Sequence, residues 1–304
     1  MLDRVTGMQV FVRVAALGSF SAAARSLDLS QTMVTKHVVA LESRLGVKLL
    51  HRSTRRLVLT EAGRSYLASC ERILADIEEA EASASLDRVE PRGTLRLNVP
   101  LTFGFRRIVP ALATFSRLYP AVEVDLGLAD RYVDLIEEGW DLAIRIGRLK
   151  DSSLVARRLA PCRTIVCAAP SYLEARGVPR SLDDLAGHNC LGYTLPSAIG
   201  ANRWAFGAEG DRVVPVRGNL RANNGDALLA AAVAGQGLIY QPTFLVGDAL
   251  RDGSLVRVLP GLPTLELGVH AMLPSGRQAP AKVRAFVEFL AERFGPEPEW
   301  DRGL

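Results

Sequence analysis

The side chains best equipped for chemistry lie near the start of the chain, and their types suit recognition, not bond-making. Gln31, Thr32, Thr35 and Lys36 recur at helical spacing behind Ser30, offering donors, acceptors and one cation. A run of arginines, Arg52, Arg55 and Arg56, follows within the same stretch. A guanidinium carries a permanent charge and several N–H donors, which suits phosphate oxygens. A short helix with a polar, partly basic front beside such a run fits the major groove of a duplex.

The surrounding elements must hold that front in place. Phe20 to Leu27 is rich in small residues and good helix formers, so a neighbouring helix can approach closely. Asp28-Leu29 breaks the pattern and Ser30 stands where an N-cap belongs. In the next helix Met33, Val34, Val38 and Leu41 define a buried face, which leaves Gln31, Thr32, Thr35, Lys36 and Val39 outside. An opening helix over 3–17 places Met8, Phe11, Val12 and Ala15 on one face. Leu57-Val58-Leu59 is a short apolar strand able to anchor a hairpin that carries the arginines. Residues 1–66 hold ten Lys and Arg against four Asp and Glu, or +6, which leaves −2 for the remainder of a chain with net charge +4. The basic excess therefore sits with the front described above.

Residues 3–66 resemble the winged helix-turn-helix of the LysR-type transcriptional regulators. The matching residues are Phe11, Ala15, Gly18-Ser19-Phe20, Ala22-Ala23-Ala24, Leu29-Ser30-Gln31, Val34-Thr35-Lys36, Leu41-Glu42, Leu45-Gly46-Val47 and Arg52 to Arg56, with Leu59-Thr60-Glu61-Ala62-Gly63. Thr32 and Val39 depart from the family pattern, which often has Pro and a basic residue there. The resemblance implies double-stranded promoter DNA as partner, with Ser30, Gln31, Thr32, Thr35, Lys36, Arg52, Arg55 and Arg56 in contact with it.

Thr60-Glu61-Ala62-Gly63 opens a helix running to about Leu86. Tyr66, Cys70, Ile73, Ile77 and Ala80 follow heptad spacing, flanked by charges, and such a narrow stripe asks for a second copy of itself. Arg88 to Gly93, with its Pro and Gly, ends the helix as a linker. Beyond it, alternation at Leu95, Leu97 and Val99 and at Val122, Val124, Leu126 and Leu128 marks strands. Helices are expected over Ile108–Leu118 and Arg131–Glu138, in βαβ order that implies parallel sheets.

This half is similar to the effector domain of the same family, through Gly93 to Leu97, Phe115, Tyr119-Pro120, Asp141 to Gly147 and Ala234 to Ile239. The chain is thus expected to be α/β in class: an N-terminal winged helix-turn-helix (1–60), a dimerising linker helix and hinge (61–91), and a two-lobed effector-binding domain like the periplasmic binding proteins (92–304). Lobe I would take 92–162 and 274–296, lobe II 171–264, with crossing strands 163–170 and 265–273. At 304 residues the chain is long enough for two domains of about 150 residues each.

Ligands of open α/β sheets lie beyond the carboxyl ends of strands, often at helix N-termini. Leu101, Thr102 and Phe103 follow the first strand of this half, and Asn223, Asn224 and Gly225, with Asp226, precede a helix in the other lobe. The resemblance adds Asp130, Ile146, Arg148, Tyr193 and Thr194. It implies a small-molecule effector, a homodimer or homotetramer, and RNA polymerase as a further possible contact. Asp130 and Asp226 disfavour a highly anionic ligand unless Arg148 offsets them.

Catalysis is not expected. Gly235-x-Gly237 lacks a third glycine and follows a helix instead of opening one, and no GxSxG, Walker A or HExxH run occurs. His188-x-Cys190 is the sole close His/Cys pair, too few ligands for tetrahedral zinc, so neither metal nor cofactor is expected. Two alternatives stay open: a redox-sensing regulator of the same fold, using Cys167 and Cys190, and a solute-binding or catalytic α/β domain with an accessory N-terminal module. No signal-peptide core and no membrane-spanning run is read, and four cysteines without a CxxC pair point to a cytoplasmic, reduced setting.

Overall fold

The computed structural model describes residues 3–52, 57–84, 90–148, 155–194, 200–274 and 279–304. The chain divides into two compact units, Met1–Val89 and Glu90–Leu304.

Unit 1 opens with three helices, α1 (Arg4–Leu17), α2 (Phe20–Ser26) and α3 (Gln31–Leu45). Each begins at a side-chain cap: Asp3 accepts from the Thr6 amide, Ser19 from Ala22 and Ser30 from Met33. Such caps satisfy amides that the first helical turn leaves free. On α1 the buried face is Gly7, Val10, Phe11 and Val14. It is turned from the expected Met8, Phe11, Val12 and Ala15, because α1 packs against α2, α3 and the long helix together. Strands β1 (Leu50–Arg52) and β2 (Leu57–Leu59) pair antiparallel, with Leu50 opposite Leu59, and α4 (Glu61–Ala84) follows. Gly63 lets α4 start close against β1: a Cβ there would lie 2.0 Å from the Leu49 carbonyl oxygen.

Unit 2 begins with β3 (Gly93–Val99), then α5 (Leu101–Phe103), a π-helical turn over Gly104–Ile108, and α6 (Val109–Leu118). Helical structure thus starts seven residues before the expected Ile108. Gly104 permits it, since a Cβ would lie 2.3 Å from Leu128 Cδ2. After β4 (Val122–Leu128), residues 131–138 form bends and turns, not the expected helix. The Asp134 carboxylate accepts from the amides of Ile136 and Glu137, and Arg131 grips Glu138 at 2.6 and 2.7 Å. A short acidic side chain that bonds nearby amides competes with the helix in this way. The Arg131 bond holds the Glu138 carboxyl down at about 2.

Strands β5 (Leu142–Gly147), β6 (Val155–Cys162) and β7 (Thr164–Ala168) come next, then α7 (Pro170–Arg176), β8 (Gly192–Tyr193), β9 (Arg203–Phe206) and β10 (Arg212–Pro215). The chain continues through β11 (Arg221–Ala222), α8 (Gly225–Val233), β12 (Ile239–Pro242), α9 (Thr243–Arg251), β13 (Val256–Val258), β14 (Leu267–Leu273) and α10 (Ala281–Phe294). Among the described residues one sheet runs β4-β3-β5-β14-β6 and another β12-β7-β13. The expected all-parallel pairing holds for β3 with β4 and β5, whereas β14 runs antiparallel to β5 and β6. The chain reaches β14 from β13 of the other sheet, so no local crossover helix dictates its direction. On α10, Val283, Phe286, Val287, Leu290 and Phe294 are buried as their spacing predicts.

Candidate nucleic-acid interface and effector cleft

Helix α3 buries Val34, His37, Val38, Leu41 and Glu42 and turns Gln31, Thr32, Lys36 and Val39 outward, with Thr35 half-buried between them. A shallow open hollow runs along this front, lined by Gln31, Thr32, Thr35, Lys36, Val39, Ala40 and Ser43. Ser30 is committed to capping, 3.2 Å from the Met33 amide. Val39 is 43% exposed, a branched apolar group on a polar front, where it can meet a thymine methyl. Val39 lies on the front as its spacing predicts, and Ala40 and Ser43 extend the set; the i, i+4 steps from Lys36 to Ala40 and from Val39 to Ser43 were the legible signal.

The front is braced from beneath by Glu42. Its carboxylate accepts from Lys48 Nζ at 2.7 Å and from the amides of Leu49 and Leu50 at 3.0 and 3.3 Å. Burial would raise this carboxyl; the bonds from Lys48 and the two amides outweigh it and hold the group below its ordinary value. Glu42 thereby ties α3 to the start of the β1–β2 hairpin. Arg55 and Arg56 and the side chain of Arg52 lie outside the described residues.

In unit 2 the expected effector residues are mostly engaged with one another. The Leu101 amide donates to Asp130 Oδ1 at 3.0 Å. Thr102 donates its hydroxyl to Asp226 Oδ2 at 2.6 Å, so two separated segments meet across 124 residues. Arg148 donates to the Glu209 carboxylate and backbone, and does not offset Asp130 or Asp226. Asp226 is instead paired with Arg106, whose two N–H groups lie 2.8 and 3.0 Å from Oδ1. Tyr193 is half-buried, and burial, with the charge of Asp130, pushes its hydroxyl up. The Thr194 amide bonds the Ala222 carbonyl at 3.0 Å. Asn224, not Asn223, caps α8, accepting from the Ala227 amide at 3.1 Å, and Asn223 is exposed.

Leu101 and Ile146 keep apolar surface open or half-open. Phe103 does not: it is fully buried against Phe244, Phe294 and Trp300, ring centroids 5.1 to 5.8 Å away, and belongs to the core. Gly225 is buried too, where a Cβ would lie 2.8 Å from Leu245 Cδ2. A separate open groove of about 750 Å³ runs along β6 beside residues 263–267, and none of the expected effector residues lines it.

Residues 5–64 match the bacterial regulatory helix-turn-helix proteins of the lysR family, and residues 88–295 match the LysR substrate binding domain. The chain belongs to the LysR family. An HTH-type transcriptional regulator of Xanthomonas campestris pv. campestris is 40% identical over 294 residues, which is 96% of this chain and 86% of that protein. The HTH-type transcriptional regulator PtxR of Pseudomonas aeruginosa is 37% identical over 294 residues, covering 96% of this chain and 93% of its own. The solved structure of CrgA, a LysR-type regulator of Neisseria meningitidis, superposes with a TM-score of 0.60 at 33% identity over 96% of this chain and 99% of CrgA. This LysR regulator is a DNA-binding transcriptional regulator with a helix-turn-helix domain and an effector-binding domain.

One expectation for the regulator is corrected, and one of the two open alternatives loses support. Cys70 is fully buried in unit 1, and Tyr66 packs against Phe11 with ring centroids 5.8 Å apart. The first turns of the α4 stripe thus belong to the domain's own core, because α1 lies against them. The open part of the stripe starts at Ile73, 38% exposed, with Ile77 half-buried; the side chain of Ala80 lies outside the described residues. The cysteine pair also separates. Cys190 bridges to Leu238 and Cys167 pairs with Ile239, so alternation along the strand puts the two thiols in different cores. Burial pushes both up to about 12, far from the thiolate character a redox sensor needs. Among the described residues no helix is long and apolar enough to cross a membrane, and no His, Cys, Asp or Glu cluster fits a metal ion.

Proposed function

We propose that the regulator binds promoter DNA as a homo-oligomer in the cytoplasm and alters its grip when a small molecule enters the cleft of unit 2. The observation that carries the reading is the front of α3. The side chains of Gln31, Thr32, Thr35 and Lys36 make no hydrogen bond among the described residues, while the back of the helix is packed. Polar groups held rigidly and left unpaired are ready for base edges and phosphates. Lys36, Arg52, Arg55 and Arg56 take phosphates; Gln31, Thr32 and Thr35 discriminate bases. The effector enters between Leu101, Thr102, Asp130, Ile146 and Arg148 of lobe I and Tyr193, Thr194, Asn223 and Asn224 of lobe II. RNA polymerase is a further partner in this reading.

A gel-shift series on DNA upstream of the gene tests it. A salt-sensitive, sequence-specific complex weakened by Arg55→Ala is expected; equal binding to random DNA would overturn the reading. Light scattering tests the oligomer. Ile73→Glu with Ile77→Glu should lower the particle mass, and an unaltered mass would remove the α4 stripe from the assembly.

A further inference from the structure

Within unit 2, Thr102 and Arg106 converge on one carboxylate. Thr102 donates to Asp226 Oδ2 at 2.6 Å, and Arg106, one helical turn later, donates Nε and Nη2 to Oδ1 at 3.0 and 2.8 Å. The next acid near Arg106, Asp248, is 3.9 Å away, too far for a direct bond. A guanidinium fork on one oxygen and a hydroxyl on the other make a seat for a planar anion. The occupant comes from the chain itself.

We infer that Thr102 and Arg106 form the anion seat of the effector site, that Asp226 fills it in the absence of effector, and that the effector carries a carboxylate that takes the place of Asp226. This rests on the cleft reading above and adds the charge class of the ligand and the identity of its competitor.

Several features make the exchange physically open. The Arg106 side chain is 26% and that of Asp226 41% exposed, so water reaches the pair and neither partner must be dragged from a dry interior. Asp226 lies in the first turn of α8, directly after the Asn224 cap, where the positive helix end favours an anion. Once displaced, it keeps a stabilising environment. Charge is conserved in the exchange: a ligand carboxylate restores both partners of the seat, while a neutral ligand would strand the guanidinium. Loss of the Asp226 contacts frees α8 from the 101–108 segment, and that supplies a difference between liganded and unliganded arrangements.

The test uses the full-length protein and its Asp226→Asn, Arg106→Gln and doubly substituted forms, each checked for a cooperative melting transition. Acetate, propanoate, benzoate and succinate are titrated by calorimetry beside their neutral amides. At least one carboxylate should bind Asp226→Asn tenfold or more tightly than the parent, its amide should show no gain, and adding Arg106→Gln should abolish the gain. Equal carboxylate affinity in parent and Asp226→Asn overturns the inference, as do equal gains for the amides or no carboxylate binding to any form. A wider compound screen separates this failure from failure of the cleft reading. A ligand blocked by Ile146→Trp yet indifferent to Arg106 and Asp226 keeps the cleft and removes the seat; ligands indifferent to all three remove both.

Discussion

The front of α3 and the cleft proposed in unit 2 are built on opposite terms. The α3 front comes from one continuous helix, and among the described residues the side chains of Gln31, Thr32, Thr35 and Lys36 have no hydrogen-bond partner. In the cleft, Thr102, Arg106, Arg148, Asp130 and Asn224 are already bonded, several of them to residues more than fifty positions away. A surface meant for a large charged polymer can stay open because water solvates it between encounters. A concave site collects polar groups that desolvate one another, and leaving them unpaired is costly.

The largest expected effects lie at the residues that support each surface. Glu42→Ala removes a buried carboxylate and leaves the Leu49 and Leu50 amides unpaired while Lys48 returns to solvent, with an expected loss of about 1–3 kcal/mol in the stability of unit 1 by chemical denaturation. The sign with pH follows from the lowered Glu42 value. Its stabilisation is complete above the ordinary carboxylate range and is lost as pH falls through the folded value, so acid should lower the unit 1 midpoint, and Glu42→Gln should flatten that dependence. Phe103→Ala should cost unit 2 about 3–5 kcal/mol, as a buried aromatic and not as a ligand contact. A fall in effector affinity at unchanged stability would return Phe103 to the cleft.

Smaller effects separate the two surfaces directly. Gln31→Ala should cost about 1–3 kcal/mol in discrimination between operator and altered operator, while stability moves by less than about 0.5 kcal/mol. Thr102→Val, at a bonded residue, should do the reverse: about 1 kcal/mol of stability and no change in operator choice. Lys36→Ala should weaken all DNA nearly evenly and reduce the salt slope by about 1. A change of sequence preference there would move Lys36 from strand contact to base reading.

Legibility followed the range of the interactions. Ser30 was readable as a cap, and Val34, Val38 and Leu41 as a buried face, because each depends on neighbours within one or two turns. The 131–138 segment misleads for the same reason, since its helical spacing is overridden by the Asp134 and Glu138 bonds. Arg106 had a faint signal, one turn from Thr102 on the same helical run. Its partner at Asp226, 120 residues on, had none. The burial of Tyr66 and Cys70 was hidden as well, because a heptad stripe reads alike whether its partner is α1 or another copy.

Periodicity, caps and a +6 charge on the first 66 residues were enough, from the sequence by itself, to establish a helix presenting an open polar face and a second half of strands and helices. The tertiary structure decided which cation meets which carboxylate, which aromatic is core, and which thiols share a core. Those outcomes depend on distances between segments far apart in the chain, and a side chain's partner across 120 residues leaves no trace in its local spacing.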